Sequence, residues 1–195
     1  MSVKNSHTTA DYMEWDTMLS LIRKLFRDGD YTMSLFVGCG CFFGLRVSDL
    51  RKLTWAMLID GDRFTLNEQK TGKRRTVKVN SDFQTHIRKC YTALHVGDAN
   101  QPCFLSNRGT VVTTQRLNVK LKEIKKRYNL KIDNFSCHSL RKTFGRRVFE
   151  QSGENAQMAL VKLSELFNHS NVAITKIYLG LREQEILEAY DLLDF

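Results

Sequence analysis

His138-Ser139-Leu140-Arg141 opens the stretch on which the reading of this chain turns, and His169 followed by Tyr178, within Ala173-Ile174-Thr175-Lys176-Ile177-Tyr178-Leu179, closes it. Residues three apart on a helix share a face, so His138 and Arg141 turn one imidazole and one guanidinium toward the same small target. The chemistry of the pair makes that target anionic. A guanidinium is a planar, permanently charged fork that matches two oxygens of a phosphate, and an imidazole beside it donates to the same group or moves a proton. Tyr178, nine positions beyond His169, supplies a nucleophile.

Outward from this stretch, the sequence is organised mostly as helices. Met18, Leu19, Leu21, Ile22, Leu25 and Phe26 recur at helical spacing within residues 11–26, and Gly29 stops the run. Residues 31–43 are apolar nearly all round, as a helix buried at the centre of a domain requires, and Gly44 ends them. Gly44-Leu45-Arg46-Val47-Ser48-Asp49-Leu50 then places an arginine after a glycine corner, at the head of a short helix expected to reach Leu53. Taken alone, Arg46 and Asp49 also fit a surface ion pair.

Alternation takes over after Trp55. Met57-Leu58-Ile59, Arg63-Phe64-Thr65-Leu66 and Thr76-Val77-Lys78-Val79, with turns at Asp60-Gly61 and Thr71-Gly72, predict a small antiparallel three-stranded sheet. Lys70, Lys73, Arg74 and Arg75 cluster at its second turn, where a basic tip is either a solvated loop or a probe for a nucleic-acid groove. Helices are predicted over residues 82–95, 113–128, 138–151 and 155–167. That over 113–128 carries Arg116, Lys120, Lys122, Lys125, Lys126 and Arg127, a cationic wall suited to DNA. Asn168 fits a left-handed helix cap, and Ser170 is the expected cap of the short helix that ends near Tyr178.

The 195 residues fit one domain with a core of its own, and no apolar run is long enough to span a bilayer. Residues 1–10 read as a flexible leader or linker remnant, residues 11–195 as a single domain, and 183–195 as a tail whose Ile186, Leu187, Tyr190, Leu192 and Leu193 pack on this domain or a neighbour. Thirty Lys and Arg against 21 Asp and Glu, a formal charge of +9, suit a polyanionic partner. The five cysteines, Cys39, Cys41, Cys90, Cys103 and Cys137, follow no framework or finger spacing. They are expected to be reduced, buried thiols of a cytoplasmic protein, with no metal bound.

In series, Arg46, Lys70, His138-Ser-Leu-Arg141, His169 and Tyr178 resemble the active-site set of the tyrosine recombinases, the phage-integrase family. Gly-Leu-Arg46-Val-Ser-Asp49-Leu is similar to that family's first arginine box and His138-Ser-Leu-Arg141-Lys-Thr to its second. Leu166-Phe-Asn-His169-Ser is similar to its Leu-Leu-Gly-His-Ser, with Asn168 where Gly is usual. The resemblance implies a mainly helical catalytic domain with a small sheet near the lysine, related to type IB topoisomerases. It also implies an enzyme that cleaves and rejoins DNA through a 3′-phosphotyrosyl intermediate without metal or cofactor. Arg46 and Arg141 then clamp the phosphate, His138 and His169 assist, Lys70 protonates the departing 5′-oxygen and Tyr178 attacks.

Lys73, Arg74, Arg75, Arg116, Lys120 and Lys142 are the expected DNA contacts; Lys142 stands where many relatives have another His. Partners implied are duplex DNA, further copies forming a tetramer on it from a monomer in solution, and accessory DNA-bending proteins. A core-binding domain ahead of the catalytic domain is expected to be absent. Two rival readings stay beside this one: a DNA-binding regulator derived from a recombinase but without turnover, and a DNA-relaxing enzyme of the topoisomerase type.

Overall fold

Helix α2 (Tyr31–Phe43) is the element around which the larger part of the chain is built, and its composition explains why. Every residue from Met33 to Cys41 is buried, so the helix offers packing surface on all sides. The computed structural model describes residues 10–181 and Tyr190, and these divide into two units, one ending at Phe144 and the other beginning at Gly145.

In the first unit α1 (Trp15–Arg27) lays Met18, Leu21, Ile22 and Leu25 against α2, which also packs on α3 (Val47–Leu50) and α5 (Ser81–Ala93). Phe36, Phe43, Trp55 and Phe104 are among its largest fully buried side chains, each worth about 1.5–3 kcal/mol of burial for a residue of this class. Phe42 stacks on Phe83 with ring centroids 4.3 Å apart. Gly40 permits a close crossing with α7 (Cys137–Glu150), because a Cβ there would stand 2.7 Å from the Leu140 Cβ. Gly44 closes α2 in the left-handed region at φ 56°, and a side chain at that position would also collide with the Phe144 ring.

The sheet has two strands among the described residues. β1 (Arg63–Asn67) and β2 (Arg74–Lys78) pair antiparallel, with Phe64 opposite Val77 and Leu66 opposite Arg75. The expected first strand, residues 57–59, belongs instead to the short helix α4 (Trp55–Ile59). Thr54 caps it by accepting the Met57 N–H at 3.4 Å, and Trp55 and Leu58, three apart, both turn inward. A three-residue apolar run is too short for a period of 2 to be told from one of 3.6. The short helix expected to reach Leu53 stops at Leu50.

α6 (Thr114–Arg127) buries Leu117, Leu121 and Ile124, and Thr113 caps it through a bond from the Arg116 N–H. Tyr128 fastens its end to α1 by donating a 2.8 Å hydrogen bond to Asp28. Residues 10–13 lie along α7: Lys142 Nζ donates to the Ala10 carbonyl at 3.0 Å, and the Met13 N–H donates to Thr143 Oγ1 at 2.9 Å.

The second unit takes in the end of α7, a 3-10 turn at Gly153–Asn155, α8 (Ala156–Phe167) and α9 (Val172–Leu179). α8 and α9 pack on each other, and Leu160, Leu163, Phe167 and Leu179 are buried. Asn171, rather than Ser170, caps α9, its Oδ1 accepting the Ile174 N–H at 3.0 Å. No helix of the described residues is long and apolar enough to cross a membrane. The leader at 1–10 and the tail at 183–195 fall outside the described residues, except for Ala10 and an exposed Tyr190.

Candidate active site

Two arginines of the first unit, Arg75 and Arg141, are anchored at the end of α2. Leaving Gly44, the chain turns into extended backbone at Arg46, the N-cap of α3, and sends its side chain to Glu68, with Arg46 Nη1 and Glu68 Oε2 2.7 Å apart. Glu68 follows β1 directly and is only 4% exposed. The same oxygen accepts the Thr71 hydroxyl at 2.9 Å, and Oε1 lies 3.4 Å from Arg75 Nη1. Burial pushes the Glu68 carboxyl up, but the Thr71 hydroxyl and the Arg46 and Arg75 charges outweigh it and hold the group below the usual glutamate range. Glu68 is therefore an anion at neutral pH. The ion pair of Arg46 thus runs to Glu68, while Asp49 Oδ1 accepts the Gln69 N–H at 2.8 Å.

Lys70 sits exposed in the turn that follows, which the backbone closes through Gly72 N–H to Glu68 O at 2.8 Å and Glu68 N–H to Lys73 O at 2.9 Å. Lys73 and Arg74 are also exposed. Arg75 is not a tip residue: it points inward and donates to the Phe43 carbonyl at 2.7 Å.

α7 brings the next pair. Its first turn is fixed by Asn118 Oδ1, which accepts the Cys137 N–H at 2.9 Å, and by Ser139 Oγ, which donates to Asn134 O at 3.0 Å. Arg141 is 5% exposed and donates to the Gly44 carbonyl at 2.7 Å, so it is held two residues from Arg46 in the chain. His138, one turn earlier, is exposed. Lys142 is buried by its bond to Ala10, whereas Arg116 is exposed and Lys120 half-buried on α6.

His169 and Tyr178 belong to the second unit. Asn168 takes the left-handed cap of α8 at φ 52°, which turns the chain so that the His169 N–H returns to Ser164 O at 2.9 Å. His169 Nδ1 lies 2.9 Å from Oγ1 of the fully buried Thr175, and that contact sets the ring's orientation. The His169 ring and the half-buried Tyr178 ring stand 5.4 Å apart at 70°, and both pack on Phe167, whose centroid is 5.5 Å from each. Tyr178 is thus carried on a helix, against an imidazole and an aromatic wall.

The cysteines take no part in this chemistry. All five are buried free thiols, and burial pushes each of them up, Cys137 to about 12.

Sequence reasoning did not single out Glu68. The available signal was charge: within residues 63–78 it is the one acid among six cations.

Residues 16–185 match the pattern that defines the phage integrase family. The chain belongs to that family. A tyrosine recombinase XerC of Xanthomonas campestris pv. campestris (strain B100) is 30% identical over 149 residues, which cover 76% of this chain and 44% of the relative. The XerC of Agrobacterium fabrum is 28% identical over 163 residues, covering 82% and 48%. The chain therefore spans about half the length of these relatives.

Among solved structures, XerA recombinase superposes with a TM-score of 0.72 at 21% identity, over 97% of this chain and 68% of that one. XerH bound to its palindromic difH substrate, a post-cleavage complex, gives 0.68 at 16% identity over 98% and 56%. At such identities these structures establish the phage integrase fold of the chain.

Proposed function

We propose that this chain is the catalytic part of a site-specific DNA recombinase that cuts and rejoins strands through a 3′-phosphotyrosyl bond. The observation that carries the reading is the fixing of two guanidinia that start from one corner of the chain: Arg141 is bonded to the Gly44 carbonyl, and Arg46, two residues further on, is paired with Glu68. Positioned cations of this kind stabilise the charge that develops on the non-bridging oxygens in phosphoryl transfer. Free tyrosine has a pKa of about 10, so the attack of Tyr178 Oη on phosphorus depends on sharing or removing its proton. His138 serves as acid or base, and His169 hydrogen-bonds the phosphate. Lys70 gives a proton to the 5′-oxygen as its bond to phosphorus breaks. Attack by a partner strand's 5′-hydroxyl then reverses the step and exchanges strands, and neither ATP nor a metal enters the scheme.

Duplex DNA is the substrate under this proposal, in keeping with the DNA complexes known for XerH and for the Tn1549 transposon integrase. Exposed Lys73, Arg74 and Arg116, with Lys120, meet its backbone. The remaining parts of the proposal are assembly to a tetramer on DNA, help from DNA-bending proteins, a cytoplasmic setting and kinship with type IB topoisomerases.

The test is a nicked duplex from which the short 5′-hydroxyl strand diffuses away after cleavage, analysed on a denaturing gel in excess chelator. A protein-linked strand is expected. Its absence on every cognate or supercoiled DNA would replace the enzyme by a DNA-binding regulator, and relaxation without joining of two sites would mark a topoisomerase-like enzyme.

A further inference from the structure

A carboxylate as enclosed as Glu68 is costly unless it is paired, and its pairing is divided in an informative way. Oε2 serves both Arg46, at 2.7 Å, and the hydroxyl of Thr71, at 2.9 Å. Oε1 faces Arg75, which is itself fastened to Phe43 at the end of α2. Thr71 is the immediate neighbour of Lys70. One oxygen thus joins a phosphate-clamping arginine on α3 to the turn that presents a lysine, across 22 residues of sequence. The hairpin's six cations repel one another and Arg46; Asp62 pairs with Arg63 at the start of β1, and Glu68 is the acid that meets Arg46 and Arg75.

We propose that Glu68 is a positioning residue whose carboxylate couples Arg46 to the Lys70 turn and fixes both before DNA arrives. The inference rests on the recombinase reading for its catalytic meaning, but the coupling itself is a property of the free protein. A hairpin tip rich in lysine would otherwise sample many conformations, and a general acid helps only when its proton lies within reach of the leaving oxygen. Glu68 touches neither the phosphate nor the leaving group in this scheme; it acts through Arg46 and Thr71.

Two measurements on the 195-residue chain test it. The first is limited trypsin digestion without DNA, since Lys70, Lys73 and Arg74 are exposed cleavage points. Glu68→Gln keeps the side chain's shape and removes its charge, and should raise cutting at this turn by about fivefold or more at a temperature where the variant is still fully folded, as expected for easier local opening. Thr71→Val, which leaves the ion pair to Arg46 intact, should raise cutting less and serves if Glu68→Gln does not fold. Unchanged cutting in the folded variants overturns the proposal whether or not the wild type cleaves DNA, so its failure is distinct from failure of the recombinase reading.

The second measurement is single-turnover cleavage of a nicked duplex with either oxygen or sulfur at the bridging 5′-position. A thiolate leaves without a proton, so sulfur bypasses the Lys70 step. On the oxygen substrate Glu68→Gln should be slower by about 10²-fold, the lower range of general-acid effects. The sulfur substrate should recover part of that loss for Glu68→Gln and all of it for Thr71→Val. An equal defect on both substrates, tracking only the fraction of folded protein, would make Glu68 a stabilising residue and nothing more.

Discussion

Arg75 and Arg141 donate to consecutive carbonyls, those of Phe43 and Gly44, each at 2.7 Å. The last carbonyls of a helix are its orphaned acceptors and the negative end of its dipole, so two guanidinia there satisfy backbone and charge together. The arginine from β2 and the arginine from α7 are thereby referred to one fixed point, and Arg46 emerges from the same corner. Precise placement of the clamp follows from how α2 ends.

Arg141→Ala is therefore expected to do two things. It should abolish covalent attachment to DNA, and it should lower unfolding stability by about 1.5–3 kcal/mol, the worth of a hydrogen bond to a charged group. Urea titration of the two proteins gives the second figure, and a variant as stable as the wild type would show that the Gly44 bond contributes nothing to folding.

Tyr178→Phe should behave differently. Its ring keeps the edge contacts with Phe167 and His169, so melting temperature and DNA affinity are expected to match the wild type while the protein-linked strand disappears. An adduct formed by this variant would assign the nucleophile elsewhere.

Glu68 gives a pH dependence of definite sign. Its folded-state pKa is depressed, so the carboxylate contributes stability above the unfolded glutamate value of about 4.3, and this is lost as pH falls through the lower folded value. The stability advantage of wild type over Glu68→Gln should be flat between about pH 6 and 8 and should shrink below about pH 4. Denaturant melts across that range decide the matter, and an advantage that persists undiminished in acid would refute the assignment.

DNA affinity should fall steeply with salt, log K against log salt having a slope of about −0.9 per phosphate neutralised. Replacing Lys73 or Arg74 by Ala should make the slope shallower by about 1 each. Arg75→Ala should instead lower the melting temperature, because its guanidinium is engaged inside the protein. Fluorescence anisotropy at four salt concentrations separates the two kinds of cation.

Native protein should resist thiol alkylation near pH 8. Cys90 and Cys137 are pushed up to about 12 by burial, and the other three thiols are buried as well. Mass spectrometry should find all five labelled only after denaturation; fast labelling of the folded protein would contradict this burial.

The long helices were legible because their apolar residues recur over three or four turns. α2 begins at Tyr31 and ends at Phe43 as its composition and Gly44 indicate. Met57-Leu58-Ile59 misled because three apolar residues fit either period and the capping bond of Thr54 settled it. The motif residues could be named along the chain, yet spacing says nothing of which cation turns inward. Arg75 looks like Arg74 in sequence. In the antiparallel pair neighbouring side chains face opposite sides, so one meets Glu68 and the other meets solvent. Glu68 itself was hidden because a single acid carries no periodic signal.

The lashing of residues 10–13 along α7 has a mechanical consequence. Tension applied to the chain ahead of Ala10 does not reach the interior through α1 first; it loads the bonds to Lys142 and Thr143, the two residues that follow Arg141. Asp11, between Ala10 and Met13, is held as well, by bonds with Asn134 just ahead of the helix. A tether, a surface attachment or a bulky fusion joined at this end therefore pulls on the helix that carries His138 and Arg141, and a slack spacer ahead of residue 10 is what keeps such a handle from disturbing them.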